Sequence, residues 1–300
     1  MAAVKRLDRS RSQWFSDAAL CITTYTVGHD WRAAVDYVAA RVEGPPLHEG
    51  LDVTLHFHPD RLVGAVPLLR HWLTDGVYRS QFETGTSNGG LTAYPGGDRW
   101  HWEHRMFGGV YDGLPPSERP KYGSLNHRRR RAGGSVRFGS AHFRLRRDVL
   151  ERTTFCYPDS FREPAHFGTR THMPLVPLVE ADAPDELDDY VEAHVHGPLR
   201  LPDDVAALVL DPAFRGTDVE AAAAGLPFPT EWHHGFRLPV TELAGHADYR
   251  GEEAVRAGEA IAEDGWLDAR VIGDAVRAGR HDPQVLKRVW HCTARFGLRG

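Results

Sequence analysis

The chain predicts an α+β protein: a strand-rich core over residues 51–215, set between a helical N-terminal segment, 1–50, and a helical C-terminal extension, 216–300. Three stretches carry that prediction. LDVTLHFHPDR (51–61) alternates apolar Val53, Leu55 and Phe57 with polar Thr54, His56 and His58, the period-two signature of a half-buried strand. DELDDYVEAHVHG (185–197) repeats the pattern, with Tyr190, Glu192, His194 and His196 on one face and Val191, Ala193 and Val195 on the other. GEEAVRAGEAIAEDG and ARVIGDAVRAGRHDPQVLKRVWHCTARFG then read as two or three amphipathic helices.

Three hundred residues with 41% hydrophobic and 26% charged side chains can bury a substantial core. A net charge of −5 argues against bulk nucleic-acid binding and leaves room only for a local basic patch. Cys21, Cys156 and Cys292 lie far apart, which excludes a zinc ribbon and argues for a reducing compartment. MAAVKRLDRSRSQWF has charges with no apolar run behind them, and no stretch reaches the roughly 20 apolar residues of a membrane span. The expected location is the cytoplasm, with export by a route that reads no N-terminal signal as the alternative.

In chain order, Trp31, Ala34, Val35, Val38 and Ala39 recur at helical spacing, and Gly44-Pro45-Pro46 stops that helix. Leu62–Asp75 again carries helical spacing and closes at Gly76. Val77–Phe82 reads as a short strand running into a long Gly-, Ser- and Asn-rich loop that holds Trp100, Trp102, Phe107 and Tyr111. Loops of that length inside a compact domain are functional or disordered, and the aromatics argue for binding. Arg79, Glu83, Tyr94, Asp98, Arg99, Glu103 and Tyr122 are pocket candidates there, some as salt-bridge partners of the loop. Arg128–Arg131 is most simply a solvated turn, with a phosphate or nucleic-acid contact as the alternative. SVRFGSAHFRLRRDVLERTTF reads as one or two strands with Ser140 and His142 on one face, CYPDSFREPAHFGT as loop, and LRLPDDVAALVLDPAF as a helix start followed by a strand over Ala207–Leu210.

Two chemistries fit the histidine strand. An H-x-H pair places two imidazoles in one pocket, and His56, His58, Glu192 and His194 could together hold a divalent metal for a hydrolase or oxygenase. Alternatively His58 and Glu192 wall a nucleotide cleft, in which a carboxylate stabilises an oxocarbenium-like centre. A solvent-facing His pair on an edge strand is the bland alternative.

LHFHPD, VRFGSAHF and VEAHVHGPLRLPDDVAALVLDP together resemble the three strand motifs of the ADP-ribosyltransferase superfamily: a His or Arg at the end of the first strand, an aromatic or small hydroxyl residue on the second, and a Glu on the third. More narrowly, LHFHPD, YRSQFETGTSNG, YPGGDRWHWE, RPKYGSLN and FGSAHFRL are similar to the signature blocks of a bacterial family known as a domain of unknown function, over about residues 50–295. The first resemblance implies a split antiparallel sheet and transfer of ADP-ribose from NAD to an unknown protein, nucleic-acid or small-molecule acceptor. It implies Glu192 and His58 as catalytic residues, and His56, Arg79, Ser80, Gly85, Tyr94, Tyr122, Ser140 and His194 as NAD contacts. Pro59-Asp60 replaces the Gly-Thr pair expected after the first-motif His, and Arg79-Ser80 offers an Arg-type first motif instead. A third reading makes the chain a non-catalytic partner-binding module, with the aromatic loop as its surface.

Overall fold

The computed structural model describes residues 30–85 and 92–298; the charged N-terminal run, Cys21 and six residues of the glycine-rich loop lie outside that range. Eight strands form one hydrogen-bonded sheet: β1 (Val53–Phe57), β4 (Lys121–Leu125), β5 (Ala141–Leu145), β6 (Thr153–Tyr157), β7 (His166–Thr169), β8 (Val191–Val195), β9 (Val205–Leu210) and β10 (Thr230–Trp232). Their order is β10-β9-β5-β1-β4-β8-β6-β7. All neighbours run antiparallel except β9 and β10, so the sheet is mixed, and in hydrogen-bonding terms it is continuous rather than split. β10 also carries the sheet past residue 215, into the stretch expected to be a helical extension.

Register builds two faces. Residues directly opposite one another share a face, so Thr54, Ser124, Glu192 and Cys156 form one row and Tyr122, His194 and Thr154 lie alongside it. His56 stands opposite His142 on the same side. The other side presents Leu55, Phe57, Phe143, Val191, Ala193, Val195 and Leu208, all buried.

That apolar side packs on α2 (Leu68–Asp75), where Trp72 meets Phe57 and Phe143 with ring centroids 4.8 and 4.9 Å apart. One apolar core runs on from the sheet into α10 (Glu252–Ile261), α11 (Ala269–Ala278) and α12 (Pro283–Phe296). The polar side is roofed by α1 (Arg32–Ala39) and α4 (Asp98–Met106), whose Ala34, Val38, Met106 and Phe107 form a small second core with Tyr111 and Cys156. β1 is therefore buried along its whole length on both faces, not half-exposed.

Several local expectations change. Leu62–Asp75 is not one helix: β2 (Leu62–Val63) and β3 (Val66–Pro67) make a hairpin turned by Gly64 at φ 62°, and α2 begins only at Leu68. Gly76 does close that helix, in the left-handed conformation at φ 65°. In place of a strand over Val77–Phe82, Ser80 caps the short helix α3 (Gln81–Thr84) through a reciprocal bond with Glu83. The turn before β5 crosses the sheet at contact distance: a Cβ on Gly139 would stand 2.2 Å from the Phe57 carbonyl carbon, so no side chain fits there.

Candidate functional site

The polar face converges on β8. Glu192 Oε1 lies 2.9 Å from His194 Nε2, and Cys156 Sγ, across the β6–β8 ladder, lies 3.7 Å from each of these atoms. The three atoms thus lie close enough together to serve one metal ion, and the Ser160 N–H steadies one corner by donating to Glu192 Oε1 at 3.3 Å. His194 turns its other nitrogen, Nδ1, toward Thr154 Oγ1 at 3.2 Å. The same hydroxyl is 2.8 Å from His196 Nε2, and His196 Nδ1 is 2.5 Å from the Tyr111 hydroxyl.

The geometry excludes a nucleophilic triad, in which a histidine's two ring nitrogens are divided between nucleophile and orienting acid. Here Nε2 alone faces both Cys156 and Glu192. Burial, reinforced by the Glu192 charge, holds the Cys156 thiol well above its ordinary value, the opposite of an activated thiolate. Burial also pushes the Glu192 carboxyl up, but the His194 hydrogen bond and the attraction of His194 and Arg99 outweigh it, and the net displacement is downward. Glu192 is an anion at neutral pH.

α4 supplies the roof chemistry. The Arg99 guanidinium lies over the Tyr122 ring at 4.3 Å and the Trp102 ring at 5.0 Å. Its Nε and Nη1 are buried with no hydrogen-bond partner, and Arg99 itself is 7% exposed. Glu103, four residues on, receives bonds from the Tyr122 hydroxyl at 3.0 Å and Arg119 Nη1 at 2.5 Å; burial lifts its carboxyl to about 7 despite Arg119. Asp159 adds a second unpartnered group: Tyr190 donates to Oδ2, Oδ1 is buried without a partner, and burial raises its carboxyl.

The structure therefore joins Glu192, His194 and Tyr122 and sends the other expected residues elsewhere. His58 lies beyond the end of β1 with its ring 5.4 Å from that of Trp290. Two strand spacings and four residues of rise separate it from the Glu192 row, roughly 16 Å between Cα atoms. His56 is locked by the backbone of the following turn, with the Ser135 N–H on Nε2 and the Gly139 carbonyl on Nδ1, both at 3.2 Å. Arg79 is tied by ion pairs to Asp75 and Glu83. Ser80 is the α3 cap, and its hydroxyl donates to the Pro116 carbonyl. Gly85 ends the same helix at φ 61°. Tyr94 is 57% exposed, and Ser140 contributes its carbonyl to His233 at 2.8 Å.

Cys156 is the residue the sequence reading missed. The strand reading stops at Phe155, because the Pro and Asp that follow draw Cys156 and Tyr157 into a loop, whereas β6 runs on to Tyr157. Arg99 and Glu103, both pocket candidates in the sequence, lie four residues apart on α4.

A family profile described as protein of unknown function, DUF3626, matches residues 52–176 and 170–295, and the chain belongs to that family. No curated protein matches the chain in sequence. Among the described residues no helix is long and apolar enough to cross a membrane.

Proposed function

We propose that this member of DUF3626 is a metal-dependent hydrolase whose cation is held by Cys156 Sγ, Glu192 and His194 Nε2. The observation that carries the reading is the triangle itself, with edges of 2.9, 3.7 and 3.7 Å. Tetrahedral zinc, with Zn–S about 2.3 Å and Zn–N or Zn–O about 2.0–2.2 Å, sets its ligand atoms about 3.4–3.6 Å apart, so a shift of about half an ångström in one edge admits the ion. Three protein ligands and one open position is the catalytic rather than the structural pattern. The Glu192 side chain keeps 11% exposure, which leaves that fourth position reachable.

Thr154 acts as the outer support for His194. With a cation bound in place of the Nε2 hydrogen that otherwise meets Glu192, His194 Nδ1–H would donate to Thr154, Thr154 to His196 and His196 to Tyr111, and the Nε2 lone pair would face the ion. The bound cation would supply an activated water at neutral pH. Arg99, charged and with two N–H groups unspoken for, would take the oxyanion of the attacked group. Asp159, with Oδ1 unpartnered among the described residues and its basicity raised by burial, would receive the proton as the carboxylate.

Elemental analysis of the purified chain is expected to give about one transition metal per molecule, with cobalt substitution adding a thiolate-to-metal absorption. Cys156→Ser should abolish that band, and Glu192→Gln should lower occupancy. A chain that neither carries nor takes up zinc or cobalt while folded overturns the reading.

A second reading, ADP-ribose transfer from NAD with an as yet unknown acceptor, is supported by Tyr122. Its strand lies between those of His56 and Glu192, and its ring stands 5.3 Å from that of His194, an aromatic beside an ionised Glu as the middle motif requires. The position of His58 weighs against it. Nicotinamide release from labelled NAD, lost in Glu192→Gln and insensitive to chelators, would favour it over the metal.

A further inference from the structure

We propose that the cleft between the arginine turn and the β5–β9 end of the sheet binds a nucleotide, its phosphates on Arg129, Arg131 and Arg144 and its base against Trp232. The cleft has a volume of about 670 Å³, within the roughly 300–1,000 Å³ of small-ligand sites. Its walls carry Arg129, Arg130, Arg131 and Arg144 against only Asp52 and Glu231, in a chain whose overall charge is negative.

Arg128, Arg129 and Arg131 are exposed, as a solvated turn would have them, but two arginines of the cleft are held in place by carboxylates. Arg130 is anchored to Asp189 at 2.5 Å, and Arg144 to Glu231 at 2.6 Å. Among the described residues Arg129 and Arg131 have no carboxylate within ion-pair distance. Arg129 reaches His48 and the Glu49 carbonyl, and Arg131 donates to the Trp232 carbonyl at 3.3 Å. Arg129 holds a left-handed backbone at φ 53°, a conformation that costs a non-glycine residue energy and turns the run back on itself.

The floor adds an independent sign of a binding site. His142 is 3% exposed, lines the cleft, and leaves Nδ1 without a partner; burial, together with His56, His233 and Arg144, keeps its ring neutral. Arg144 Nε is likewise buried and unpartnered. Phosphate oxygens satisfy such donors with charge-assisted, fork-shaped bonds. Trp232 forms part of the wall and is backed by the Arg215 guanidinium at 4.1 Å, which leaves its indole a rigid surface for a planar base.

The cleft is separate from the Glu192 centre. Thr54 is common to its floor and to the Glu192 row, but Gly134 N–H and Ser135 Oγ close over Thr54 and Ser124 at 3.0 and 2.9 Å and divide the two. Binding here therefore stands or falls without the metal.

Titrating the full-length chain with ATP and, separately, with inorganic pyrophosphate, in chelator and at low salt, tests the assignment by calorimetry and by tryptophan fluorescence. Saturable ATP binding is expected, weakened by added salt as exposed ion pairs are screened. The double variant Arg129→Ala/Arg131→Ala should weaken both ligands at least about tenfold, with unchanged metal content and thermal midpoint. Trp232→Leu should weaken ATP alone. Folded protein that shows no saturable binding of either ligand at about 1 mM, or binding that the double variant leaves unchanged, overturns the site. Equal loss of ATP and pyrophosphate in Trp232→Leu overturns the base contact.

Discussion

The two faces of the central sheet are equally buried and built on opposite terms. Leu55, Phe143 and Val195 on one side and His194 and Thr154 on the other all have no exposed surface. On the apolar side the interaction is non-directional, and what matters is that volume is filled. On the polar side each group must find a partner with the right geometry or the desolvation penalty stands. Most do: Thr54, Ser124 and Ser135 bond one another, and Tyr122, Glu103 and Arg119 form a closed set. Among the described residues the unpartnered buried groups include Arg99 and Asp159 around Glu192 and His142 and Arg144 in the arginine cleft, with others, such as Ser140 Oγ and Asp211 Oδ2, elsewhere.

The sharpest way to break the comparison is to damage each face and ask what is lost. Phe143 contacts Phe57, Trp72 and Phe228 on the apolar side. Phe143→Ala should cost about 3–5 kcal/mol in urea unfolding, while the metal content of the folded fraction stays at the wild-type level. Thr154 lies on the other face, and Thr154→Val keeps its volume but strands His194 Nδ1 and His196 Nε2. That change should cost less stability, about 1–3 kcal/mol, yet weaken metal affinity about 10–100-fold in chelator competition, and Thr154→Ser should restore it. If Thr154→Val leaves affinity unchanged, the hydroxyl does not orient His194.

The sequence made the pattern of this sheet legible and its depth obscure. Period-two alternation identified β1 and β8 and assigned the Glu192 and His194 face correctly, because side-chain direction on a strand is local. Alternation ordinarily means one wet face, and here α4 lies over that of β8 while the turn at 133–139 closes that of β1. That helix, α4, went unread because Asp98–Met106 is dominated by His, Arg and Trp rather than by an apolar stripe. β4, KYGSL, was hidden by its Lys, Gly and Ser, although it joins β1 to β8. Lys121 is tolerated there because its ammonium donates to the Ser117 and Gly197 carbonyls. Cys156 could not be joined to Glu192, since pairing between strands 36 residues apart is a tertiary fact. The same holds for His58, whose separation from Glu192 depends on a strand order that no single stretch encodes.

The smallest effect is the most selective, because only the polar face titrates. His142 is held neutral first by burial and then by His56, whose ring centroid is 5.0 Å away, by His233 and by Arg144. Its folded value lies well below the ordinary 6.5 that it takes in the unfolded chain. Above pH 6.5 the ring is neutral in both states and contributes no pH dependence. Below it the unfolded chain takes up a proton that the folded chain refuses, so the native state loses about 1.4 kcal/mol for each pH unit until the folded value is reached. Glutamine at this position refuses no proton. The gap between His142→Gln and wild type should therefore move in the variant's favour by about 1.4 kcal/mol per unit as pH falls from 6 to 5. The gap for Phe143→Ala should stay level over the same range, since no proton is bound or released on that face. Urea midpoints measured at half-unit intervals compare the two directly. A His142→Gln curve running parallel to that of Phe143→Ala would mean that His142 is hydrated in the native state, and that this end of the polar face is open to water rather than sealed.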